Sequence, residues 1–83
     1  MAKAYVKFWV RANKERDVQD QLLTFDEVQT ADITAGEQDI LSLVEASSFE
    51  ALLDLVMNKL RAIEGVEKTV TDIIFEDRSP RKK

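Results

Sequence analysis

The sequence predicts an α+β domain of order β-α-β-β-α-β, and three observations carry that expectation. Lys3 to Arg11 alternates Val6, Phe8 and Val10 with Tyr5, Lys7 and Trp9, the two-residue period of a strand. From Phe49, the apolar residues Leu52, Leu53, Val56, Met57, Leu60 and Ile63 recur at helical spacing. Gly65 then follows this run of helix formers, and a stretch rich in β-branched and aromatic residues, Val66 to Phe75, comes directly after it. Two helices on one face of a four-stranded antiparallel sheet satisfy this order, which is the ferredoxin-like or split βαβ arrangement.

In the first strand Val6, Phe8 and Val10 make one wholly apolar face, and Tyr5 and Trp9 flank Lys7 on the other. Asn13 is read as a helix N-cap, with Val18, Leu22 and Phe25 as the stripe of a short amphipathic helix ending near Thr24. Val28 to Ala35 is a weaker strand. Val28, Thr30, Asp32 and Thr34 share one face and Gln29, Ala31, Ile33 and Ala35 the other; neither is strongly apolar, so an edge position or a partly solvated one is expected. Gly36-Glu37-Gln38-Asp39 has hairpin-turn chemistry, and the near-continuous apolar run Ile40 to Ala46 makes a third, central strand. Ser47 with Glu50 reads as a capping box opening the second helix, over 47–64, with Met57 and the leucines as ordinary core. The last strand runs from Val66 to Glu76, with Val70 and Ile74 on one side and Thr69, Thr71, Ile73 and Phe75 on the other. Right-handed crossovers place the first and third strands in the centre of the sheet.

Composition narrows the function. The 83 residues hold no cysteine and no histidine, which removes disulfides, thiolate chemistry and the commonest general base and metal ligand. Adjacent acids such as Asp26-Glu27 and Glu76-Asp77 point to opposite faces of a strand and do not cooperate in general acid–base work. No catalytic, cofactor or metal site is expected. The net charge of −4 argues against a nucleic-acid surface on the body of the domain, 1–76, and leaves 77–83 as a short basic tail. No stretch reaches membrane length and no signal peptide opens the chain, so a cytoplasmic protein is expected. Both faces of the sheet are partly apolar in a small, staple-free chain, which implies a partner across the second face.

Several motifs occur together and in order: Val28, the Gly36 to Asp39 turn, the apolar strand Ile40 to Val44, Gly65-Val66, and Thr69-Val70-Thr71. In that order and spacing, from about Ala4 to Phe75, the chain resembles the C-terminal effector domain of the Lrp/AsnC feast-or-famine regulators, the RAM domain. The resemblance implies a sheet-to-sheet dimer, further assembly into rings, and an effector amino acid bound between dimers. It differs from those regulators in starting at the first strand, with no helix-turn-helix segment before it, and in Gln38, where many members have an aromatic residue. Direct specific DNA binding is therefore not expected.

On that resemblance, Gly36, Glu37, Gln38, Asp39, Thr69 and Thr71 are the expected ligand-binding residues. Asp39 would accept from an ammonium, Gly36 would open the backbone to a carboxylate, and the threonines would supply hydroxyls. Tyr5, Trp9, Ile73 and Phe75 are the expected dimer interface. Three functions remain: an amino-acid sensor, a ligand-free assembly module that co-oligomerises with full-length regulators, and a small cofactor-free enzyme on the same fold.

Overall fold

The computed structural model describes residues 1–76 and Arg78; the basic tail, apart from Arg78, lies outside the described residues. The elements are β1 (Ala2–Val10), α1 (Glu15–Leu22), β2 (Val28–Ile33), β3 (Ile40–Ala46), α2 (Phe49–Leu55) with a π-helical continuation (Val56–Leu60), and β4 (Val66–Ile73). One antiparallel sheet has the order β2-β3-β1-β4, so the first and third strands are central, as the ferredoxin-like reading requires. No helix among the described residues is long and apolar enough to cross a membrane.

Alternation in the central strands divides the sheet into two unlike faces. Ala4, Val6 and Phe8 of β1 and Ile40 and Val44 of β3 are fully buried on the helix side, where they meet Val18 and Leu22 of α1 and Leu52 and Leu60 of the second helix. The opposite face carries Tyr5, Lys7 and Trp9 beside Leu41 and Leu43, and no helix of the described residues covers it. Residues directly opposite one another share a face. Tyr5 pairs with Leu43 and Asp72, and Lys7 with Leu41 and Val70, so this open face is a half-buried apolar centre bordered by charge. Lys7 and Asp72 form an ion pair at 3.5 Å, and the Lys68 ammonium lies 4.7 Å from the Trp9 ring centre.

The register divides the residues expected at the interface between the two faces. Ile73 pairs with Ala4 and Thr71 with Val6, which puts both on the helix side, away from Tyr5 and Trp9. The β4 residues beside those aromatics are Lys68, Val70 and Asp72. Phe75 lies past the end of β4, which stops at Ile73 rather than Glu76, and is 97% exposed.

Local chemistry explains the other shifts. Asn13 takes a φ of 72°, a left-handed conformation that asparagine tolerates, so it serves as a turn residue; Lys14 holds the cap position and makes no side-chain cap bond. Strict alternation fails in β2, where a bulge between Val28 and Thr30 puts both Val28 and Ala31 on the core side. Ser48, one residue later than expected, caps α2 by accepting from the Ala51 amide at 3.0 Å, so the expected Ser47–Glu50 box is not formed. The helix ends near Leu60, and only Leu52, Leu55, Val56 and Leu60 of it are buried. Phe49, Leu53 and Met57, expected in the core, are instead exposed at 52%, 38% and 57%. They lie four residues apart and form one stripe on the solvent side of the helix.

Gly65 ends this unit as its position predicts, at a φ of +101°. Its carbonyl accepts from the Arg11 amide at 2.8 Å, tying the turn to the end of β1.

Candidate functional site

The helices are offset over the sheet. α1 packs on β2, and α2 packs on β3 and β1, so the helix side of β4 is left as a ledge along one edge. Thr69 and Thr71 stand on that ledge, opposite Phe8 and Val6, and are half-buried. The π-turn overhangs them. Between the two lies a hollow of about 460 Å³, lined by Val56, Met57, Arg61, Val66, Thr69 and Thr71 among others.

The π-turn shapes that hollow. The Arg61 amide donates to the Val56 carbonyl at 3.1 Å, five residues back, and Met57 and Arg61, four residues apart, lie on the same side of the turn. The Arg61 guanidinium touches the Met57 sulfur, Nη1 to Sδ 3.4 Å. Among the described residues Arg61 forms no ion pair, although Glu67 lines the same hollow.

The second half of the expected site lies elsewhere. The hairpin loop is closed by its own atoms: the Thr34 amide donates to the Asp39 carbonyl at 2.9 Å, and the Gln38 side-chain amide donates to the Thr34 hydroxyl at 3.1 Å. Glu37 is exposed, and a Cβ on Gly36 would meet nothing within 4 Å, so the turn tip is open to an approaching group. The Asp39 carboxylate accepts from the Val10 amide, Oδ2 to N 2.8 Å, standing in for a ladder acceptor where β1 leaves the sheet. Asp39 lines a different hollow, with Asn13, Arg16, Ile33 and Thr34.

Asp39 and Thr69 therefore sit on opposite sides of β1: the Asp39 amide donates to the Phe8 carbonyl, while Phe8 registers with Thr69. Thr69 and Thr71 come together, and so do Gly36 to Asp39, but one chain does not join the two groups. Arg61, Met57 and Val56 are groove residues that sequence reading missed. Their spacing looked like core, and nothing in composition announces a π-turn. Among the described residues no three His, Cys, Asp or Glu side chains converge to hold a metal ion.

A family model described as the Lrp/AsnC ligand binding domain matches residues 3–83 of the chain. An uncharacterised HTH-type transcriptional regulator of Pyrococcus abyssi, PYRAB16920, is 40% identical over 62 residues, which are 75% of this chain and 41% of that regulator. The chain thus spans less than half the length of the curated relatives it matches, 41–47% of each. Among solved structures, TTHA0845 from Thermus thermophilus superposes with a TM-score of 0.88 at 28% identity, covering 98% of this chain and all of that one (100%). The feast or famine regulatory protein Rv3291c from M. tuberculosis, solved with L-methionine, superposes with a TM-score of 0.79 at 27% identity, covering 100% of this chain and 56% of that one.

Proposed function

Because the chain belongs to the Lrp/AsnC ligand binding domain family, we propose that it is an amino-acid-sensing and oligomerisation domain in which a free amino acid or close analogue is held between copies of the chain. The domain is regulatory rather than enzymatic, in keeping with relatives that are transcriptional regulators by name. Its sensing unit is residues 1–76 and its place of action the cytoplasm.

The observation that carries the reading is the split between the two sets of polar groups. Thr69 and Thr71 offer hydroxyls in one hollow, and the Gly36 to Asp39 turn offers carboxylates and an open backbone on the far side of β1. A zwitterion that needs both finds them together only where the turn of one copy meets the ledge of another. The open sheet face supplies a surface for self-association. The exposed Tyr5 and the half-buried Trp9, Leu41, Leu43 and Val70 give an apolar centre, and an aromatic side chain there brings on the order of 150–250 Å² of burial. The L-methionine bound to the related M. tuberculosis protein supports an amino acid as the ligand class.

One observation favours a second reading. Asp39 is already engaged by the Val10 amide, which suits an assembly module that takes no ligand and co-oligomerises with full-length regulators. A thermal-shift screen against the free amino acids separates the two. At a concentration one hundred times Kd a ligand adds about 2.7 kcal/mol, a shift of several degrees in a domain this small. The sensor reading expects such a shift for at least one amino acid; a flat response across the set at millimolar concentration leaves the assembly module.

A further inference from the structure

The six residues assigned to the ligand include carboxylates and hydroxyls but no cation, and only the backbone opened by Gly36 was expected to meet the carboxylate that an amino acid carries beside its ammonium. Resting on the amino-acid-sensing reading, we infer that Arg61 is the residue that receives the ligand's carboxylate, and that Met57 and Val66 beside it select an apolar side chain. Arg61 lines the same hollow as Thr69 and Thr71. It is exposed and, among the described residues, ion-paired with no carboxylate, Glu67 in the same hollow included. An arginine presents a planar fork of donors that matches a carboxylate in two parallel bonds.

Its position is set by the backbone. The π-turn closes with the Arg61 amide on the Val56 carbonyl, and the side chain rests against the Met57 sulfur at 3.4 Å. A guanidinium already laid along the groove wall gives up little freedom when a carboxylate arrives. Lys68, the other cation of this hollow, is committed to the Trp9 ring on the opposite face of β4. The carboxylate thus goes to Arg61, the hydroxyls of Thr69 and Thr71 support it from the ledge, and the side chain lies on Met57 and Val66.

Calorimetry with L-methionine, L-leucine and L-phenylalanine, and with L-methioninamide at a pH that keeps its amine protonated, tests the assignment on the full chain. Arg61→Gln is expected to weaken L-methionine by about ten- to a hundredfold, the span of a charged hydrogen bond. L-methioninamide, which has no carboxylate, is expected to bind parent and variant alike, and Arg61→Lys to fall between them. An exposed side chain is being changed, and an unaltered melting temperature for the empty variant confirms that folding is not the cause. If the parent binds L-methionine and Arg61→Gln binds it equally well, the assignment is overturned while the sensing reading stands. If the three apolar amino acids fail but a polar one binds, the apolar selection is overturned. If no amino acid binds the parent, the sensing reading falls and this inference with it.

Discussion

Replacing Gly65 by alanine should be the most damaging small substitution in the chain, and its cost can be built from two parts. The residue sits at a φ of +101°, and an added Cβ would lie 3.1 Å from the Val18 Cγ2 and 3.2 Å from the Lys14 Cβ. Left-handed backbone costs a non-glycine residue about 1–2 kcal/mol. Val18 is fully buried and cannot swing aside, so overpacking adds about 1–3 kcal/mol more. Against a typical total of about 5–15 kcal/mol, a loss of about 2–5 kcal/mol is severe. Urea unfolding followed by the fluorescence of Trp9, the single tryptophan, measures it at fixed protein concentration. Gly36→Ala is the matched control: nothing lies within 4 Å of its Cβ position and its φ is not positive, so it should stabilise by about 0.4–1 kcal/mol. Equal effects of the two substitutions, or a Gly65→Ala loss under about 1 kcal/mol, would refute the reasoning.

Three further outcomes are expected. Asp39→Ala strips the Val10 amide of its acceptor and should cost about 1–3 kcal/mol in the same assay, with Asp39→Asn costing less because an acceptor oxygen remains. Ser42 is fully buried and, among the described residues, its hydroxyl has no partner, so Ser42→Ala should raise stability by about 1 kcal/mol; a loss would mean that the hydroxyl has a partner after all. Leu43→Glu places a charge in the middle of the open sheet face, opposite Tyr5, and should abolish self-association in sedimentation velocity while circular dichroism stays that of the parent. An unchanged sedimentation profile would move the interface away from this face.

The topology was legible because the first strand alternates cleanly, the third is a near-continuous apolar run, and Gly65 stands between a helix-period run and a β-branched run. Details set by single backbone choices were not. Asn13 served as a left-handed turn rather than a cap, and the bulge in β2 undid the two-residue period over which its faces were assigned. The face of β4 turned on register, which strand composition does not fix: alternation puts Val70 and Ile73 on opposite faces, and only the pairing with Lys7 and Ala4 shows that Val70's is the open one. The stripe Phe49, Leu53, Met57 had the spacing of a core face, yet the helix packs toward β3 and β1 and leaves that stripe outside. The threonines of the groove were found from a motif, whereas Arg61 was missed because its place depends on a π-turn with no composition of its own.

A sensor, as distinct from a domain that merely binds, must couple its ligand to assembly, and the coupling is reciprocal. Sedimentation velocity over a range of protein concentrations, with and without a saturating amount of the amino acid that gives the largest thermal shift, measures this directly. With the ligand bridging the Gly36 to Asp39 turn of one copy and the Thr69–Thr71 ledge of another, the distribution of assembled species should shift on adding it. Superimposable distributions at every concentration, from a protein that nonetheless binds the amino acid, would contradict a site completed between copies.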